Sequence, residues 1–198
     1  MSRALGRFAS RETPRAQRGV APLARQLQIQ TAMSGKWTNA REARPRLDRL
    51  LGDERHDPYR ERGKLPEPTV CPDCKAVVRE GRWQWLSPPF GAPEHLCPAC
   101  RRTRDRYPAG QLVASGAFLA EHRDEVLGLI RNVEARSKAE HPLKRIMALD
   151  ESDGELEVTT TDAHLVRAIG DAIHHAYQGE LSFRQDEGET LLRMRWSR

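Results

Sequence analysis

The chain has 198 residues and a mass of 22.5 kDa, with 38% hydrophobic residues, 31% charged residues and a mean hydropathy of −0.73. This length fits one ordinary domain or two small ones, since domains commonly contain about 100–200 residues. The low apolar content implies a modest core that needs bracing. No run approaches the roughly 18–20 apolar residues that cross a bilayer. The composition therefore argues against a large enzyme and a membrane-spanning protein.

The net charge of +5 comes from the first 32 residues, where six arginines face one acidic residue, Glu12. The rest of the chain sums to zero. Residues 1–32 lack the apolar stretch of a secretory signal, although their Arg-rich, acid-poor composition is also typical of a transit peptide. We predict a disordered basic extension over 1–32, with Met33 as an alternative translation start, and a cytoplasmic protein.

The next segments differ in composition. Residues 33–66 are polar and end among alternating prolines, which favour extended backbone. We therefore predict a polar lead-in segment that precedes the cysteine-containing residues. Residues 67–113 hold all four cysteines and seven prolines, which excludes one long helix. From Ser115, apolar residues recur mostly at steps of three and four, which predicts a connecting helix over 115–140 with Ser115 as its cap.

The last segment, 141–198, alternates apolar and polar residues on both sides of a helical pattern. Asp153-Gly154 predicts a hairpin turn, Asp162 a helix N-cap, and Gly179 the end of that helix. The sequence therefore predicts an α+β protein with a small ββαββ antiparallel sheet domain at its C-terminal end, the helix covering one face.

The strongest motif is a pair of Cys-x-x-Cys sequences, Cys71–Cys74 and Cys97–Cys100, separated by 22 residues. Two such turns can present four thiolates to one ion in a closed tetrahedral set. Basic residues, Lys75 and Arg101, follow the two pairs and would reduce the excess negative charge. We predict a zinc ribbon over 67–113 with one structural Zn²⁺ held by Cys71, Cys74, Cys97 and Cys100.

Three other uses of the cysteines compete. A disulfide framework is disfavoured without an export signal. A thioredoxin-type centre needs one motif at a helix start in a βαβ setting. An iron–sulfur cluster could use four cysteines, but paired turns are more typical of zinc.

A candidate nucleic-acid surface surrounds the metal motif. It comprises two tryptophans and four arginines, which could stack bases and neutralise phosphates: Arg82, Trp83, Trp85, Arg101, Arg102 and Arg104. Equally, the tryptophans could cover a small metal core and the arginines form a solvated face. The C-terminal segment 141–198 carries a charge of −4, with seven basic and eleven acidic residues, which favours a protein partner for that segment.

No further site emerges. His164, His174 and His175 lie on the predicted C-terminal helix, where neighbours diverge too far to share a metal easily, and His122 with Glu125 is an ordinary helix pair. The chain has no phosphate-binding loop, nucleophile elbow or His-Glu-x-x-His motif. We predict that it is not an enzyme.

Three stretches resemble a family of short, uncharacterised bacterial zinc-ribbon proteins: residues 64–74, 116–125 and 158–165. The resemblance runs from about Met33 to the end and implies the zinc site but no activity. More distantly, the cysteines are similar to the zinc-knuckle N-terminal part of the large ribosomal subunit export adaptor. The leading prediction is an RNA- or ribosome-associated adaptor. The alternative is a protein–protein regulatory module with a purely structural zinc site.

Overall fold

The computed structural model describes residues 37–39, 57–186 and 189–198. All of these residues belong to one compact unit, Gly35–Arg198. The predicted basic extension 1–32 lies outside the described residues, as does most of the lead-in before residue 57. The described part is a mixed α+β structure, which confirms the fold class.

The described part contains nine strands and four helices. In chain order the strands are β1 (Thr38–Asn39), β2 (Thr69–Val70), β3 (Val77–Arg79), β4 (Arg82–Gln84), β5 (Gly110–Ser115), β6 (Ile146–Ser152), β7 (Glu155–Thr160), β8 (Glu180–Gln185) and β9 (Leu192–Ser197). The helices are α1 (Pro98–Asp105), α2 (Ala117–Glu121), α3 (Arg123–Glu140) and α4 (Ala163–Tyr177). None of these helices is long and apolar enough to cross a membrane.

The larger sheet has six strands in the order β1-β8-β9-β5-β7-β6. The predicted small antiparallel domain is therefore wrong in size and in strand direction. Although 146–197 does run strand, strand, helix, strand, strand, β5 enters between the two hairpins and pairs with β9 in parallel. β1 adds to the other side of β8. The predicted ribbon boundary at residue 113 is also wrong, because β5 belongs to this sheet.

The predicted connecting helix over 115–140 is two helices. Ser115 is the last residue of β5, and Gly116, with φ 107°, is the N-cap of α2. His122 then separates α2 from α3. The apolar residues of this segment lie on helices, as predicted. The expected cap, Ser115, instead belongs to the preceding strand.

The main core lies between the six-stranded sheet and the helices. Asp162 is the N-cap of α4, and its carboxylate accepts a hydrogen bond of 2.9 Å from the Leu165 backbone N–H, as predicted. Buried residues of α4 and the sheet form this core together with Val126, Leu127 and Ile130 of α3. Trp196 is fully buried, and its Nε1 donates to the Gln178 carbonyl at 2.7 Å.

Candidate metal centre

The first cysteine pair lies in the turn between β2 and β3. The Cys71 N–H donates to the Ala76 carbonyl at 2.8 Å and the Lys75 N–H to the Cys71 carbonyl at 3.0 Å. Lys75 has φ 63°, a left-handed conformation that reverses the chain. The turn therefore brings Cys71 and Cys74 back to the same side.

The second pair lies at the start of α1. Cys97 is the N-cap, and its sulfur accepts a hydrogen bond of 3.4 Å from the Cys100 N–H. Pro98 follows in the first turn, where its missing N–H costs nothing. The positive end of the helix dipole favours thiolates at this position.

The two pairs meet in one cluster. The Cys97 N–H donates to the Cys71 sulfur at 3.4 Å, and all four Sγ atoms lie within 4.8 Å of one another. Sulfurs at about 2.3 Å from a tetrahedral zinc ion are separated by about 3.8 Å. Cys74 Sγ and Cys97 Sγ are 3.8 Å apart. The four predicted cysteines are thus assembled in an arrangement that can hold a metal ion.

Arg145 provides hydrogen bonds to this cluster from outside the two cysteine pairs. It immediately precedes β6, and its guanidinium donates to Cys74 Sγ at 3.0 Å and to Cys100 Sγ at 3.2 Å. Its Nε also donates to the Pro142 carbonyl at 2.5 Å. A four-thiolate site on a divalent ion has a net charge of −2, which a cation held against the sulfurs partly offsets. The residues that the sequence predicts for this role, Lys75 and Arg101, make no hydrogen bond to the sulfurs among the described contacts.

The electrostatics favour a thiolate in the cluster. The hydrogen bond with Cys97, helped by the Ala76 backbone and Arg145, lowers the pKa of Cys74 to about 4 against the effect of burial. Burial raises the pKa of Cys100 to about 11. The hydrogen bond to Cys74, together with burial, raises the pKa of Cys97. Metal binding requires loss of the remaining protons, because the thiolate is the ligand.

The structure contradicts the proposed contact role of Arg102. Its side chain is only 2% exposed, and it donates to the Asp57 carboxylate at 2.5 Å. The guanidinium also lies 4.5 Å from the centre of the Tyr59 ring. Arg102 joins α1 to Asp57 and Tyr59, so its guanidinium is not available to a phosphate.

Two further arginines are held in ion pairs. Arg101 contacts Glu61 at 2.9 Å. Arg104 makes two hydrogen bonds to Asp73, at 3.0 and 2.5 Å, and so ties α1 to the first cysteine turn. Arg82 is exposed.

The two tryptophans have different surroundings. Trp83 packs against the cysteine cluster. Trp85 is 39% exposed, but its Nε1 donates to the Lys138 carbonyl at 2.6 Å and Arg145 lies over its ring at 5.7 Å. The interpretation in which a tryptophan covers the small metal core fits the contacts of Trp83, whereas Trp85 contacts Arg145 and Lys138 rather than the cysteines.

The four cysteines form the one metal-capable cluster found among the residues that the structure describes. His122 Nδ1 and Glu125 Oε1 are 3.2 Å apart as a helix pair. His164 and His175 are exposed, and His174 is half-buried. Asp57 binds Arg102 and Glu61 binds Arg101. The sequence does not indicate either acidic residue as a partner, because both precede the cysteine motifs and carry no motif of their own.

No protein-family model, curated protein or solved structure matches this chain. The resemblance to bacterial zinc-ribbon proteins therefore stays a prediction.

Proposed function

We propose that this chain is a non-catalytic, zinc-stabilised module that binds another protein. The observation that carries the zinc-stabilised, non-catalytic part of the proposal is the set of four cysteine sulfurs within 4.8 Å of one another. Four protein ligands complete a tetrahedral zinc ion and leave no position for substrate or water, which is typical of structural sites. Such a metal organises the three-stranded sheet, α1 and the turns between them as a zinc ribbon.

Zinc suits the donor set best. Thiolates in tetrahedral geometry select zinc or iron–sulfur clusters, and one four-sulfur cage of this size matches a single zinc ion. Zinc binding contributes on the order of 10–16 kcal/mol in small zinc peptides, which would compensate for a thin apolar core around the cysteines. Because the ligands must stay reduced, this site suits a reducing compartment such as the cytoplasm.

A protein partner is better supported than RNA. Three of the four arginines in the candidate surface are engaged with carboxylates, as described above, and both tryptophans are packed against the metal centre or Arg145. Nucleic-acid affinity depends on many phosphate neutralisations and on exposed aromatic faces for stacking. The described part of the candidate surface offers little of either, which favours the protein–protein alternative over the RNA- or ribosome-associated adaptor.

The test compares nucleic-acid and ribosome binding by the purified zinc-loaded chain. We expect no salt-sensitive comigration with ribosomes on sucrose gradients and no binding of a fluorescent single-stranded RNA at moderate salt. A double variant, Arg101→Ala with Arg104→Ala, serves as the control for the candidate surface. Ribosome or RNA binding that this variant loses, and that salt weakens, would overturn the proposal in favour of the RNA adaptor.

A further inference from the structure

The β6–β7 hairpin at one end of the larger sheet carries carboxylates that no cation balances. Asp150 and Glu157 lie directly opposite each other on the ladder, and like charges in opposed positions destabilise a sheet. Glu157 accepts a hydrogen bond of 2.7 Å from Gln111, a neutral donor that leaves its charge uncompensated. Among the described residues Asp150, Glu155 and Glu157 have no arginine or lysine in an ion pair. We call the surface of these three carboxylates the acidic face.

The acidic face lies on the side of the sheet opposite the helices. The neighbouring residues of β7, Leu156 and Val158, are buried in the main core, and side chains alternate between the two faces of a strand. Asp150 and Glu155 are exposed, and Glu157 is half-buried. The described residues therefore leave the acidic face open to a partner.

β6 is also an edge strand of the larger sheet. The turn Asp153–Gly154 has two residues, with φ 52° and 79°, which makes Ser152 and Glu155 the first hydrogen-bonded pair of the hairpin. Hydrogen-bonded and non-hydrogen-bonded pairs alternate along the ladder, so the backbone polar groups of Leu149 and Glu151 point away from β7. In the described part of the chain no strand pairs with this side of β6. Such an edge can receive another strand.

The open part of this edge adjoins the acidic face. At the start of β6 the Glu134 carboxylate of α3 accepts a hydrogen bond of 2.8 Å from the Ile146 N–H, so that end of the edge is occupied. Residues 150–152, further along the strand, are exposed. A chain that pairs with this second part of β6 would lie beside the acidic face.

We infer that the β6 edge binds an extended basic segment of a partner protein, with lysine or arginine at every second position. An added strand has the same period of two as β6, so one set of its side chains would lie beside the acidic face. Backbone hydrogen bonds supply affinity in this recognition mode and side chains supply specificity. Cationic side chains would also offset the repulsion between Asp150 and Glu157. The inference rests on the proposed protein-binding function and names the surface and the partner class.

The charges of this surface favour a basic segment over other occupants. A second copy of the chain that paired through β6 would place the Asp150 carboxylates of both copies along one face, which like-charge repulsion opposes. Carboxylates likewise repel the phosphates of a nucleic acid. A metal ion is disfavoured, because the cysteine cluster is the one group of side chains close enough to hold an ion in the described ranges. A basic strand satisfies both the free backbone groups and the carboxylates.

The experiment uses the full zinc-loaded chain and a fluorescein-labelled peptide of alternating lysine and valine, about ten residues long, which is the upper range for a strand. Fluorescence anisotropy at physiological salt should show binding of this peptide and none of a glutamate–valine peptide. The whole chain has a net charge of +5, so binding of a cationic peptide requires a local acidic surface.

Two double variants with the same change in total charge locate the binding surface. Asp150→Lys with Glu155→Lys should weaken binding at least about tenfold, because charge complementarity is reversed. The matched control, Glu94→Lys with Glu140→Lys, changes two exposed carboxylates outside the hairpin and should leave binding unchanged. Zinc content and thermal unfolding should be the same for both double variants, which separates loss of binding from loss of the fold.

Hydrogen exchange tests the strand pairing itself. The amides of Leu149 and Glu151 should exchange more slowly when the peptide binds, whereas the Asp150 amide is already bonded within the hairpin and should change little. No binding of the lysine–valine peptide, equal binding by the two double variants, or unchanged Leu149 and Glu151 amides overturns the inference and leaves the protein-binding module in place.

Two other results have different consequences. A dimer of the free chain in which the Leu149 and Glu151 amides are already protected overturns the inference, because a second copy then occupies the edge. Salt-sensitive ribosome or RNA binding that Arg101→Ala with Arg104→Ala abolishes overturns the proposed function, and the inference with it.

Discussion

The guanidinium of Arg145 donates a hydrogen bond of 3.0 Å to the sulfur of Cys74, 71 residues earlier in the chain. This contact joins the larger sheet to the cysteine cluster, because β6 of that sheet begins at the residue after Arg145. Burial opposes the charge of Arg145, but hydrogen bonds to Cys74 and Cys100 outweigh it and raise the pKa of the guanidinium. The cation is therefore permanently available to the thiolates.

Replacing Arg145 should accelerate metal loss. Groups that hydrogen-bond to ligands typically change metal affinity by about 10–100-fold, so Arg145→Ala should release zinc faster by a factor in this range. Arg145→Lys keeps the charge but lacks the planar guanidinium fork. Its zinc-release rate should therefore lie between those of the parent chain and Arg145→Ala. Zinc release into a chromogenic chelator measures the rate.

The neighbouring variant Lys144→Ala is the control for that experiment. It removes a positive charge one position away and should leave the release rate within about twofold, because the half-buried Lys144 side chain, unlike Arg145, makes no hydrogen bond to a cysteine sulfur among the described residues. Equal rates for Arg145→Ala and Lys144→Ala would contradict a specific role for the Arg145 hydrogen bonds.

Arg102 should matter for stability and not for binding. Removing one partner of a buried ion pair costs about 3–5 kcal/mol, and the Arg102 side chain is 2% exposed against Asp57. We expect Asp57→Ala to lower the free energy of unfolding by an amount that approaches that range without reaching its upper end, since Asp57 itself is partly exposed. Denaturant unfolding of the zinc-loaded chain measures the change.

Asp73→Ala is the comparison for Asp57→Ala. It breaks the ion pair with Arg104, whose side chain is 60% exposed, and exposed pairs contribute only about 0–1 kcal/mol. A loss of stability as large for Asp73→Ala as for Asp57→Ala would show that burial of Arg102 is not what makes its ion pair important.

Two glycines should respond in opposite directions to alanine. A Cβ at Gly110 would lie 2.4 Å from Val166 Cγ1 and 2.6 Å from Thr160 Oγ1, so Gly110→Ala should destabilise the fold by about 1–3 kcal/mol. A Cβ at Gly128 meets nothing within 4 Å, and alanine is favoured over glycine inside a helix by about 0.8–1.0 kcal/mol. Gly128→Ala should therefore stabilise.

Thermal or denaturant unfolding of both glycine variants tests this contrast. If Gly110→Ala were as stable as the parent chain, the close packing of α4 on β5 would be wrong. A destabilised Gly128→Ala would instead contradict the open surroundings at that position of α3.

Local signals in the sequence predicted the elements that depend on neighbouring residues. The Asp153-Gly154 turn has φ 52° and 79°, which explains why the hairpin was visible, and Asp162 caps α4 as expected. The cysteine spacing likewise predicted the cluster, because both pairs close through short turns.

Long-range pairing was not predictable in the same way. β5 is a short strand whose parallel partner, β9, lies near the other end of the chain, and nothing in Gly110–Ser115 indicates that partner. Arg145 contacts the sulfurs only because the larger sheet packs beside them. The burial of Arg102 depends on Asp57 and Tyr59, so an arginine-rich stretch alone suggested exposure.

The most direct test of the account is the metal content of the purified chain, measured by elemental analysis on protein prepared without air. We expect about one zinc ion per chain, four free thiols on unfolding, and loss of structure around the cysteines when a strong chelator removes the metal. Absence of stoichiometric zinc, with a fold that a chelator leaves unchanged, would contradict it.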